Sequence, residues 1–377
     1  MQNGSVTGCT FEGFRYRKGQ EKNFEFAREA FQIEAAWTSN ESNLSESKGK
    51  WAQSTYIDGT ACDSVTVANN TFINMPCGVG QHHYSKSGKA RCKNIVITNN
   101  TITCSSSMNY CKTAISCTGI DGLQVKGNHI TGPYRFAIHE IQSTGVTIDQ
   151  NVISQTGITS IMVESGILSS ISGNTLDHAG KHAMSIAGGN ITNINNNTIL
   201  SPKRNGINVT GGTVKNIRGN IVKGTGANGI AAAKVSGSKG GSIKSISKNK
   251  ISKTNGTGIT VDQGKVTNIT GNSITNSGRH GMCILGGTVG SGKKQTVGIM
   301  NNTITTCKQN GITVSGSGKI SAIHSNKITG IKRNGISLTG RAKVYWIIKN
   351  TNKKCGGHGI WKGISGVKLS GNKGQTK

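Results

Sequence analysis

The chain has 377 residues and a formal net charge of +29, with 44 Lys/Arg against 15 Asp/Glu, 54 glycines and only 3 prolines. No run of 18 apolar residues occurs, which excludes a membrane-spanning helix. No window keeps a 3.6-residue apolar period either, which excludes a helical bundle.

In chain order, Met1-Gln2-Asn3-Gly4 is polar and carries no signal peptide. Val6-Thr7-Gly8-Cys9-Thr10-Phe11 already reads as repeat, so earlier repeats and an export signal are expected to precede it. From residue 70 an Asn-x-Ile motif recurs: Asn70-Thr71-Phe72, Asn100-Thr101-Ile102, Asn128-His129-Ile130, and so on to Asn326-Lys327-Ile328. Its spacing is mostly 23 or 24, with some of 28 to 30 where a loop has grown. A small residue followed by an apolar one answers each motif, from Ala114-Ile115 through Gly311-Ile312 to Gly359-Ile360.

A period of this length means stacked units that cannot bury an apolar face alone. Alternation such as Gly311-Ile312-Thr313-Val314 indicates short strands with Ile and Val inward. Asn and Gly are expected at the corners, where left-handed backbone is needed. The scarcity of proline fits ladders that use nearly every N–H. The expected fold is all-β: a single-stranded, right-handed parallel β-helix of about twelve rungs, three short strands each. One domain is expected over 1–377, with loop-decorated rungs at 1–165, regular basic rungs at 166–370 and a polar tail at 371–377. Cys62 and Cys92 should stack on adjacent rungs, and Cys104 and Cys111 flank a loop as a disulfide or an inward stack.

The repeat resembles that of the pectate-lyase-like superfamily over nearly the whole chain, through its N-N-T-I and G-I-x-V segments. That resemblance implies the fold and a range of roles: polysaccharide lyases, hydrolases, uronan epimerases, tailspikes and non-catalytic surface proteins. The segments Glu29-Ala30-Phe31-Gln32-Ile33-Glu34, Tyr56-Ile57-Asp58-Gly59-Thr60 and Val79-Gly80-Gln81-His82-His83 resemble secreted bacterial β-helix proteins of carbohydrate activity. This second resemblance implies an extracellular or cell-surface location.

Charge and aromatics divide the chain. Residues 1–165 hold 14 Lys/Arg and 13 Asp/Glu, whereas residues 166–377 hold 30 Lys/Arg against Asp177 and Asp262 alone. Fourteen of 17 aromatics lie in the first 136 residues. The basic part calls for a polyanionic partner, such as an acidic polysaccharide or another anionic polymer. Nucleic acid is the weaker reading, because few aromatics accompany the cations.

Alignment of the rungs places Gln32, Glu34, His82, His139 and Glu164 outward on one sheet. Arg28, Tyr134 and Arg135 enter from neighbouring corners, and Tyr84, Lys86 and Arg91 come from a long insertion. A lyase needs a base for the C5 proton and a cation for the substrate carboxylate; His82, His83 or Tyr84 fits the first role and Arg28, Arg91 or Arg135 the second, with His139 a further catalytic candidate on the same face. A hydrolase needs two carboxyl groups, which Glu34 with Asp58 or Glu164 would supply. Glu140 falls on the inward or corner phase and reads as structural. No zinc spacing is present, and the carboxylates are too sparse to call for calcium, so no cofactor is expected. A row of cations, Lys181, Arg204, Arg279 and Arg333, precedes the second motif. With one cation per rung it would match the repeat of a polyuronate, arginine clasping each carboxylate. The function expected is a carbohydrate-active enzyme on an acidic polysaccharide, with a non-catalytic glycan-binding module as the alternative.

Overall fold

The computed structural model describes residues 2–13, 29–33, 61–80, 91–105, 111–235 and 240–374. The chain is an all-β parallel solenoid, and it divides into two compact units, Met1–Asn174 and Thr175–Lys377. In both, each strand pairs in parallel with the equivalent strands of the neighbouring rungs, building three parallel sheets; in the second unit one rung gives the first sheet two short strands, Thr288–Val289 and Gly298–Met300.

In the first unit, the first sheet runs from Ser5–Thr7 to Ile167–Ser172, the second from Thr10–Glu12 to Val152–Ser154, and the third from Glu29–Gln32 to Thr159–Val163. In the second unit, the first sheet runs from Asn190–Asn195 to Lys368–Ser370, the second from Thr175–Asp177 to Thr351–Cys355, and the third from Met184–Ile186 to Ile360–Lys362. Inward positions stack like on like. In the third sheet Ile115, Ile138 and Ile161 are register partners, and all are fully buried. Each such side chain contributes about 1.5–3 kcal/mol on burial, but only when rungs above and below cover it.

The recurring asparagine does a different job from the one expected at a corner. The left-handed residue is the one before it: Asn69, Asn99 and Gln150 have φ of 56°, 54° and 57°, and Gly127 and Gly173 have 66° and 64°. The anchor asparagines themselves turn inward and are almost completely buried. Asn128 shows the pattern: its Nδ2 donates to Asn151 Oδ1 at 3.0 Å and to Ile97 O at 2.9 Å, while its own N–H donates to the same Asn151 Oδ1 at 3.0 Å. Asn249, Asn272, Asn302, Asn326 and Asn350 repeat it in the second unit. Both oxygen lone pairs and both amide protons are thereby used, which allows a row of polar groups to sit in an apolar interior.

A second row explains the small residues of the other motif. A Cβ at Gly281 would lie 2.6 Å from Gly311 O and collide with Ile304 Cγ2. Only glycine lets successive rungs approach this closely there. Cys104 and Cys111 are disulfide-bonded, the first of the two arrangements expected for them.

Candidate functional site

The outer face of the third sheet in the first unit is built by alternation. Within Phe136–Ile141, Ile138 faces inward, so His139 faces outward, between Ser116 and Met162 on the neighbouring rungs. Glu164 follows the next strand directly, and its Oε1 lies 3.0 Å from His139 Nε2. The side chains are 15% and 46% exposed, so the pair is open to solvent on its carboxylate side. The hydrogen bond with His139, and then the charges of His139 and Arg135, hold the Glu164 carboxyl below its ordinary range against a smaller opposing effect of burial. An ionised carboxylate only accepts, so Nε2 carries a proton and a neutral ring keeps its lone pair on Nδ1.

Arg135 is exposed at the preceding corner, and its backbone is fixed by N–H donation to Cys111 O at 3.1 Å. Its Cζ lies 5.4 Å from the centroid of Phe136, and that ring lies 4.8 Å from the His139 ring, tilted by 48°. Guanidinium, phenyl, imidazole and carboxylate thus follow one another across two rungs. Phe136 was not among the expected site residues; the available signal was its place at the start of the strand bearing His139.

Glu140, next in the chain, points inward and is fully buried, with Cys117 and Val163 as register partners. Its Oε1 accepts the Ser143 N–H at 2.7 Å, and its Oε2 is buried without a hydrogen-bond partner among the described residues. Burial pushes its pKa up to about 8, so the carboxyl is neutral over most of the working range.

Two expected ligand contacts are corrected. Tyr134 is fully buried, and its hydroxyl donates to Met75 O at 3.2 Å, so the ring belongs to the interior and cannot meet a polymer. Arg91 is a clamp between rungs. Its Nε donates to both Asp121 oxygens at 3.0 Å, and its Nη2 donates to Gln142 O at 2.8 Å. Burial alone would raise the Asp121 carboxyl, but Arg91 and the Thr144 hydroxyl outweigh it and draw it down. The charge of Arg91 is therefore already matched.

Gln32 is exposed and pairs with Gly80. Its column reaches His139 only three rungs later, roughly 14 Å away, so the two are not brought together. Arg28, Glu34, Asp58, His82, His83, Tyr84 and Lys86 lie outside the described residues.

The cations of the second unit are exposed but do not occupy every rung. Backbone hydrogen bonds link Lys181, Arg204, Ala227, Gly256, Arg279, Gln309, Arg333 and Gly357 in order. Only Lys181 and Arg204 are one rung apart; the expected continuous row is broken by Ala227, Gly256 and Gln309. Beside it runs a row that ties the corner together. Asn205 N–H donates to His182 Nδ1 at 3.3 Å, Asn228 N–H to Asn205 Oδ1 at 3.0 Å, and Asn310 N–H to His280 Nδ1 at 3.3 Å. Burial, with the adjacent cations, draws His182 and His280 down to about 4, consistent with unprotonated acceptor nitrogens. These histidines serve the turn.

Among the described residues, no three His, Cys, Asp or Glu side chains gather where they would hold a metal ion, and no helix is long and apolar enough to cross a membrane. The sequence matches the family described as the right-handed β-helix region over residues 55–222 and 228–373. No curated protein matches the chain significantly. Among solved structures it is similar to the A-module of a mannuronan C-5 epimerase from Azotobacter vinelandii, with 13% identity, 83% of this chain and 84% of that one covered, and a TM-score of 0.51. It also matches the A-module of a second mannuronan C-5 epimerase from the same organism, with 11% identity, 82% and 85% coverage and a TM-score of 0.46.

Proposed function

The chain belongs to the right-handed β-helix family, and from that premise we propose that it acts on a uronate-containing polysaccharide by removing the C5 proton of a sugar residue. The observation that carries this reading is the His139–Glu164 pair at 3.0 Å, with Arg135 at the adjoining corner. Glu164 orients the imidazole and stabilises its positive form, Nδ1 takes the proton, and Arg135 neutralises the sugar carboxylate as charge develops on C5 and the carboxylate oxygens. Return of a proton to the opposite face gives epimerisation; loss of the C4 oxygen with its bond pair gives a lyase product. The fold neighbour named a mannuronan C-5 epimerase module adds only that such a scaffold carries uronan chemistry elsewhere. Work on such a polymer fits an extracellular or cell-surface protein.

The test is shared by both outcomes. The full chain is incubated with polygalacturonate and polymannuronate in deuterated water. Deuterium at C5 and absorbance of unsaturated uronate are then read together. One of the two signals is expected, falling about 100-fold in His139→Ala, the lower range for loss of a general base. With neither signal on any uronate polymer, the enzyme reading fails. Salt-sensitive binding without turnover then favours the second reading, a non-catalytic glycan-binding module, which the charge of residues 166–377 supports.

A further inference from the structure

The first sheet of the second unit is interrupted once, by residues 290–297 between Thr288–Val289 and Gly298–Met300. Although residues 291–296 are exposed, this loop is fastened to the sheet at two points. Ser321 Oγ–H donates to Gly292 O at 2.7 Å, and Trp346 Nε1–H donates to Lys293 O at 2.8 Å. The loop's ends lie so close to the strand Lys319–His324 that a Cβ at Gly298 would be 2.9 Å from Ala322 N, and Gly298 has a φ of 136°. These bonds hold the backbone of Lys293 against the sheet.

Around that loop the sheet gathers cations and rings. Lys293 Nζ lies over Tyr345, 5.9 Å from its centroid. Lys368 is the register partner of Trp346, and its Nζ lies 4.8 Å from that ring. Lys319 and Lys343 are register partners on adjacent rungs, both exposed, so two like-charged side chains leave backbone positions about 4.8 Å apart along the sheet. The acids of this unit, Asp177 and Asp262, lie on the second and third sheets, and none is on this one. Tyr345 and Trp346 are two of the three aromatics that follow Phe136 in the whole sequence. Adjacent uncompensated lysines repel, and a bound polyanion removes that repulsion.

We propose that this face of the second unit, formed by Lys293, Lys319, Lys343, Tyr345, Trp346 and Lys368, is a docking surface for an anionic polysaccharide. The ligand class rests on the function proposed above. A rung step is close to the length of one pyranose residue in an extended chain, so successive carboxylates meet Lys319 and Lys343. The C–H faces of the sugars lie against Tyr345 and Trp346, whose lysines turn toward the carboxylates. A single-stranded nucleic acid needs a series of rings for its successive bases, and beyond Phe136 the sequence holds only Tyr345, Trp346 and Trp361.

Binding of the full chain to polygalacturonate, to neutral dextran and to oligo-deoxythymidine is measured by titration calorimetry at low salt. The surface variant Lys319→Gln/Lys343→Gln is compared with Lys215→Gln/Lys244→Gln, which removes the same charge from other strands of the same sheet. The first pair is expected to weaken polygalacturonate binding about fivefold, two exposed ion pairs' worth, with the control near wild type and dextran unbound. Lys368→Gln is expected to weaken binding in the same sense. Equal loss in the control pair, unchanged affinity in the first pair, or tighter binding of oligo-deoxythymidine than of polygalacturonate each overturns the proposal. The two readings fail separately. Wild-type C5 exchange with no effect of Lys319 and Lys343 on binding defeats the docking surface alone. Binding that depends on these lysines with no exchange defeats only the catalytic reading.

Discussion

A buried carboxyl with no hydrogen-bond partner for Oε2 among the described residues makes Glu140 sensitive to pH. Its folded pKa, raised to about 8, stands above the ordinary 4.5. Below 4.5 the proton is held in both states and the residue adds no penalty. As pH rises towards 8 the unfolded chain releases the proton while the folded one must keep it, so stability falls through that window and levels off above it. The full loss is on the order of 5 kcal/mol, and Glu140→Gln, which keeps an acceptor for the Ser143 N–H, is expected to abolish most of it. Urea midpoints at pH 5 and pH 8 for both proteins check this; an unchanged pH dependence in the variant would reject it. The same strand shows what was legible in the sequence. Strict alternation separated His139 from Glu140, and the rung spacing brought Glu164 beside His139. Tyr134 and Arg91 were misjudged because both lie near corners, where side-chain direction follows local turns. Their partners, Met75 O and Gln142 O, come from other rungs that a single sequence does not align.

At the scale of one rung, hydrogen-bonded order and close packing matter more than any single apolar contact. The repeat, the parallel strands and the inward isoleucines could be read from spacing and alternation. The role of the recurring asparagine could not, because its side chain is explained only by the asparagine one rung away. Removal of one member leaves partners on both sides exposed to an apolar interior. Asn272→Ala strips Asn249 N–H and Nδ2 of their shared acceptor and Ile246 O of its amide donor. It is expected to cost on the order of 3 kcal/mol, read as a lowered denaturation midpoint. A cost no larger than that of a surface substitution would show that the row is incidental.

Over the whole chain, charge is the property the sequence displayed most openly and located least well. An even row of cations was expected, yet Ala227, Gly256 and Gln309 take intervening places in an unbroken column, so the cations fall into separate groups. Lys181 and Arg204 are adjacent, whereas Arg204 and Arg279 are three rungs apart, roughly 14 Å. Groups so separated act independently. Lys181→Gln/Arg204→Gln and Arg279→Gln/Arg333→Gln, which lie off the proposed docking face, should therefore alter polyuronate binding only through the general field, by small amounts that add within about 0.5 kcal/mol. Each variant should also flatten the dependence of affinity on salt. A combined variant far weaker than the sum would point instead to one continuous site.

The buried amide row also bears on how such a chain changes length. Each asparagine offers its neighbour above what it takes from its neighbour below, so the interior is the same after translation by one step. The 23 residues from Asn249 to the next anchor, Asn272, can be copied or deleted whole, and every interior amide still meets an identical partner. A fragment of a step has no such freedom, since it would set an isoleucine against an amide. Length is therefore a quantised trait here, altered in whole rungs, while the loops at the corners vary freely.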